Sequence, residues 1–127
     1  MLTDGVIEPS VSDYCSPAVL VAKKNGSVRF CTDYRRLNAL TKDEAAPLPK
    51  IQDTLRDFGA AKVFSAIDLK SGYWQIPLDE DSKPLTTFAT PDGATYQYRV
   101  MPFGLKNAPA TFQKLMTRVL AGYLGKF

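Results

Sequence analysis

The sequence predicts an α+β fold in which antiparallel strands dominate. Three observations lead there: an Asn25-Gly26 step between two strand-like runs, a Pro91-Asp92-Gly93 step between two more, and a carboxyl-terminal stretch whose apolar residues recur at helical spacing. At 127 residues, 45% hydrophobic and 23% charged, the chain has the size and balance of one globular domain with a real core.

Residues 18–24 and 27–34 are the first pair of strands. Asn-Gly tolerates positive φ at both positions and is the strongest short hairpin signal. Ala46-Pro47-Leu48-Pro49 forces extended chain, and Pro49 can open a helix through Phe58, with Ile51, Leu55 and Phe58 on one face and Gly59 as its stop. The apolar run 63–67 predicts a buried strand. Residues 85–90 and 95–101 form the second pair around the Pro-Asp-Gly turn. Residues 107–120 place Phe112, Leu115, Met116, Val119 and Leu120 on one helical face, with Asn107 as the cap. There are no internal repeats and no linker.

Charge is distributed unevenly. Residues 23–42 carry six bases against one acid, Asp33, and residues 93–127 carry five bases and no acid. Residues 43–92 hold nine acids against five bases. Basic ends around an acidic centre suit a polyanion held beside a metal-binding core, although such runs can equally be solvated surface. No histidine is present, which argues against zinc or imidazole catalysis, and Cys15 and Cys31 show neither metal-ligand spacing nor a disulfide framework. No stretch reaches the ~20 apolar residues that span a bilayer, and residues 1–10 do not read as a leader, so an intracellular, reduced protein without a membrane partner is expected.

Asp68 is the residue with the most chemistry to offer. It ends the apolar run 63–67 and precedes Lys70-Ser71-Gly72 and the aromatics Tyr73 and Trp74. A strand that delivers a carboxylate to its exposed end can hold a hard cation, and it can equally cap a turn.

Four blocks then occur in order: Ser16-Pro17-Ala18-Val19-Leu20-Val21 with Lys23-Lys24-Asn25-Gly26; Arg29-Phe30-Cys31-Thr32-Asp33-Tyr34-Arg35-Arg36-Leu37-Asn38; residues 64–78, from Phe64-Ser65-Ala66-Ile67-Asp68 to Ile76-Pro77-Leu78; and Met101-Pro102-Phe103-Gly104-Leu105-Lys106-Asn107-Ala108-Pro109-Ala110-Thr111-Phe112-Gln113. Together they resemble the reverse transcriptase of gypsy-type LTR retrotransposons over nearly the whole chain. The resemblance implies the fingers and an incomplete palm of a right-hand polymerase, with residues 1–62 and 79–101 fingers-like and 63–78 and 102–127 palm-like. It implies primer extension with dNTPs on an RNA or DNA template, using two Mg²⁺ (or Mn²⁺) ions in the complete enzyme.

By the same resemblance, Asp68 is the first catalytic aspartate and the Leu69 backbone carbonyl a second metal ligand. Tyr73 lies where the family sets an aromatic under the incoming sugar, a ring that would collide with a ribose 2′-hydroxyl; core packing is the alternative for Tyr73 and Trp74, and the family often has His in place of Trp74. Lys24 and Arg29 match contacts to the triphosphate, for which a mobile ammonium and a planar guanidinium are suited. The alternative for this pair is ordinary surface charge. Phe103 and Gly104 match the nucleotide pocket, and Phe103 can also anchor the following helix. Arg35, Asn38 and Lys106 match template or primer contacts.

The family pattern continues past residue 127 with a Tyr-x-Asp-Asp segment and a thumb. The chain alone is therefore expected to be inactive and marginally folded, with an unpaired sheet edge beside Asp68. The block Asp4-Gly5-Val6-Ile7-Glu8-Pro9-Ser10 resembles the interior of the family's entry segment, so lost upstream sequence is expected too. An intact element would add ribonuclease H and integrase regions and place the enzyme in a cytoplasmic virus-like particle. A non-catalytic nucleic-acid-binding module and a non-functional relic are the competing readings.

Overall fold

In the computed structural model, residues 1–44, 56, 59 and 62–123 are described. Five short strands form one mixed sheet in the order β1-β5-β4-β2-β3, with β1 at Ile7–Pro9, β2 at Ser16–Ala22, β3 at Val28–Thr32, β4 at Phe88–Ala89 and β5 at Thr95–Tyr98. Among the described residues two α-helices accompany it, α1 at Arg35–Leu40 and α2 at Ala108–Val119, with 3₁₀ turns at Gly72–Gln75 and Lys83–Thr86. The expected helix over 49–58 falls, but for Arg56, outside the described residues.

The first hairpin forms where the sequence predicts it, with Val19 opposite Cys31 and Val21 opposite Arg29. Its turn differs from the two-residue turn that Asn-Gly suggests. Lys23 N–H donates to Ser27 O at 2.7 Å and Gly26 N–H to Lys23 O at 3.0 Å, and only Gly26 has positive φ (79°). This is a wider turn closed by a glycine bulge, with Asn25 Oδ1 accepting from the Ser27 N–H at 3.2 Å and hydroxyl at 2.7 Å.

The second hairpin is shorter than expected. Its first arm, 85–90, begins inside the 3₁₀ turn Lys83–Thr86, and only Phe88–Ala89 pair as β4. Pro84 lies at the start of that turn and has no N–H to give a ladder. Two elements were not anticipated. β1 pairs antiparallel with β5 (Ile7 opposite Tyr98), and β2 meets β4 in parallel (Ser16 opposite Phe88). Three residues and two residues are too few to carry a periodic signal.

The core lies under the middle of the sheet, where Val6, Ile7, Tyr34, Phe88 and Tyr98 cluster. Phe88 is the hub, with ring centroids 5.1 Å from Phe30, 5.4 Å from Tyr98 and 6.1 Å from Tyr96. The Tyr34 hydroxyl donates to Thr86 O at 2.9 Å, so the phenol keeps a partner inside. Burial raises the Tyr34 pKa well above the usual phenol value, and raises that of Tyr98 as well.

The buried strand expected over 63–67 is not formed. Residues 62–69 have no ladder, and Val63, Phe64 and Ile67 are 86%, 63% and 89% exposed. A strand exists only where another backbone pairs with it, and no described strand lies alongside these residues.

Candidate functional site

A cleft of about 550 Å³ opens between the first hairpin and the turn that follows Asp68. One wall carries Lys23 and Arg29; the other carries Ser71, Trp74, Phe103 and Gly104. The β2–β3 register explains the basic wall. Arg29 is opposite Val21, and Lys23, two residues past Val21, continues the same face. Lys24, expected here by sequence, lies in the hairpin turn and does not line the cleft. Lys23 is the residue that sequence reading missed, and its signal was the strand parity relative to Arg29. Neither Lys23, Lys24 nor Arg29 has an ion-pair partner among the described residues.

The aromatic wall is built by the 3₁₀ turn Gly72–Gln75. Ser71 enters it in the left-handed region (φ 50°, ψ 50°), a conformation rare outside glycine, and its carbonyl accepts from the Trp74 N–H at 2.8 Å. Nothing in the Ser71 side chain announces this. Gln75 Nε2 ties the turn back to Lys70 O at 3.0 Å. Gly72 lies against the ring of Phe112 on α2, where a Cβ would come within 3.1 Å. Tyr73 packs between Phe103 and Phe112, at centroid distances of 5.0 and 5.4 Å, and Phe103 also meets Trp74 at 6.3 Å. Trp74 Nε1 is buried without a hydrogen-bond partner among the described residues.

Asp68 and Leu69 sit at the mouth of this turn, both exposed. Their carboxylate and carbonyl are oxygen donors of the kind a hard divalent ion takes, but they are too few to hold one. Among the described residues no group of three acidic or thiol side chains is placed to hold a metal ion.

The expected template contacts are all engaged within the chain. Arg35 folds onto Asp33 with Nη2 to Oδ2 at 2.6 Å, which holds the Asp33 carboxyl below its ordinary range. Asn38 Nδ2 donates to Gly104 O at 2.8 Å and its Oδ1 accepts from Lys106 N–H at 2.9 Å. Lys106 Nζ pairs with Asp43 at 2.7 Å and donates to Thr41 O at 3.3 Å. Gly104 has φ 95°, the left-handed side that a side chain would strain, so its requirement comes first from the loop's own backbone. Asn107 stands at the start of α2, yet its side chain leaves the helix uncapped. Its Nδ2 donates to Lys42 O at 2.9 Å, and its Oδ1 accepts from Glu44 N–H at 3.2 Å. Glu44 pairs in turn with Lys114. Residues 38–44 are thus stitched to the amino end of α2 by polar side chains.

Two cations, Lys23 and Arg29, thus line one cleft with the aromatics Trp74 and Phe103. The family model for reverse transcriptase (RNA-dependent DNA polymerase) matches residues 21–127, and the chain belongs to that family. It is 44% identical to the retrovirus-related Pol polyprotein from transposon 412 of Drosophila melanogaster over 128 residues, covering 96% of this chain and 10% of that protein. Identity is 41% to the Pol polyprotein from transposon gypsy of the same fly (99% and 13% covered) and 40% to the enzymatic polyprotein of figwort mosaic virus (96% and 19%). The chain thus spans between a tenth and a fifth of these relatives' lengths. Among solved structures, the prototype foamy virus protease-reverse transcriptase CSH mutant superposes with a TM-score of 0.84 at 30% identity, over 95% of this chain and 16% of that one. The foamy viral protease-reverse transcriptase solved with an RNA/DNA hybrid gives 0.78 at 25% identity, over 98% and 16%. The mixed five-stranded sheet with few helices matches the fingers and palm region of these enzymes. No described helix is long and apolar enough to cross a membrane.

Proposed function

We propose that the chain is the nucleotide-handling part of an RNA-directed DNA polymerase from a retrotransposon Pol polyprotein, and that the cleft receives the incoming dNTP. The observation that carries this is the shared lining: Lys23 and Arg29 line one cleft with Trp74 and Phe103, and Trp74 sits in the turn that follows Asp68. Guanidinium and ammonium groups without anionic partners suit the triphosphate, and the rings suit the sugar and base. Tyr73, fixed between Phe103 and Phe112, would act as the sugar gate, where a rigid ring excludes a 2′-hydroxyl by collision. Asp68 and the Leu69 carbonyl would contribute to a Mg²⁺ site only together with further carboxylates. Template and primer would run past Arg35 and Lys106, whose exposed pairs with Asp33 and Asp43 exchange at little cost.

Trp74 is the only tryptophan, so its fluorescence reports directly on the cleft. Titration with dTTP is expected to quench it. Arg29→Ala should weaken binding about tenfold, as loss of a charge-assisted contact does, and Lys23→Ala should weaken it more than Lys24→Ala. An emission unmoved by millimolar dTTP would remove the cleft from this role; equal effects at both lysines would remove the strand-parity assignment.

A further inference from the structure

We infer that Asn38 is a positioning residue: its amide, on α1, sets the loop that holds Phe103 against Tyr73 and Trp74, and so fixes the shape of the cleft from outside it. The inference rests on the reading of the cleft as a nucleotide site only for its consequence, not for its geometry.

Residues 103–106 form a strip between two hollows. Phe103 and Gly104 line the cleft, while Leu105 and Lys106 line a second hollow of about 340 Å³ behind it. The strip bends at Gly104, whose φ of 95° lets the chain turn there without fixing where it goes. Asn38 uses both ends of its planar amide on this strip, donating to Gly104 O and accepting from Lys106 N–H. Other residues match only part of this: Asp lacks the donor, Ser the second group, and Gln is one methylene too long.

Phe103 itself is 55% exposed. A buried ring is held by its surroundings, but a half-exposed one is held mainly by its backbone. Its contacts with Tyr73 and Trp74 therefore depend on the strip's position, and Asn38 sets that position. A direct template contact, the role the sequence suggests, would have to use the second N–H or second lone pair of an amide already fixed to the strip.

The test uses acrylamide quenching of Trp74 in the 127-residue chain, beside dTTP and UTP titrations. Asn38→Ala, losing both bonds, should raise the quenching constant about twofold as the strip opens. It should weaken dTTP binding about tenfold and narrow the gap between dTTP and UTP. Asn38→Asp, retaining the acceptor for Lys106, should fall between, and Arg36→Ala, an exposed neighbour on α1, should match the wild type. In the wild type the Lys106 amide should exchange with solvent more slowly than that of Phe103, a measurement that needs no variant. An unprotected Lys106 amide, or quenching unchanged in a folded Asn38→Ala chain, would overturn the positioning role whatever the nucleotides do. A wild type that binds no dTTP, with quenching still raised in Asn38→Ala, would leave the clamp standing and sink the nucleotide reading. Normal dTTP and UTP binding with raised quenching would overturn the link from clamp to selectivity.

Discussion

The sheet around Phe88 and the segment 62–69 that carries Asp68 are made from similar apolar residues and bury them very differently. Phe88 is 1% exposed and touches three aromatic rings, whereas Ile67, one residue before the carboxylate, is 89% exposed. The difference lies in backbone pairing. β4 has neighbouring strands on both sides, so its side chains are pressed into a closed layer; residues 62–69 join no ladder with a described strand, so the apolar run is not buried as a strand. Apolar composition proposes a strand, but a partner makes it one.

The sharpest way to break this contrast is to mutate both sides. Phe88→Ala should cost about 3–5 kcal/mol in urea denaturation, enough to unfold a small domain. Ile67→Ser should change stability by less than about 0.5 kcal/mol. Similar losses at both sites would mean that 62–69 is packed in solution. The next largest effect concerns the polar anchor of the core. Tyr34→Phe leaves the Thr86 carbonyl without its buried donor and should cost about 1–3 kcal/mol, read from the same melts; a neutral result would show water reaching that carbonyl.

The smallest effect sits at the stitched seam. The Lys114 ammonium beside Glu44 holds its carboxyl below the usual range, so the pair's contribution is present above the unfolded-state pKa and is lost as pH falls through the lower, folded one. Acidification below about pH 4 should therefore speed exchange of the Glu44 amide, corrected for intrinsic rate, and Glu44→Gln should abolish that dependence. A wild-type amide indifferent to acid would show that Asn107 alone keeps the seam closed. Catalysis gives the complementary test. In a full-length relative with this chain in place of the matching segment, Asp68→Asn should reduce primer extension by on the order of a hundredfold or more while leaving the sheet's stability unchanged.

Much of the architecture was legible in the sequence where local chemistry decides it. Gly26, Gly93 and the amphipathic run in α2 mark their elements through backbone freedom and side-chain periodicity. The family blocks around Asp68 and Phe103 mark the segments on which the proposed site rests. What stayed hidden is non-local. β1 and the parallel β2–β4 contact exist only because distant segments meet, and the left-handed Ser71 is imposed by the turn around it. Lys23 against Lys24 is a matter of strand parity that turn type decides. Asn38 looked like a surface contact because nothing in one sequence says that its amide ends on residue 104.

The pairing of β1 with β5 also orders events in time. Ile7 cannot find Tyr98 until residue 98 has been made, whereas the β2–β3 hairpin needs only nearby residues. During synthesis the hairpin with Lys23 and Arg29 is therefore expected to form first and alone, and the sheet to close late, around a seam that spans the chain. The basic arm would be ready for a polyanion before the floor of the cleft exists.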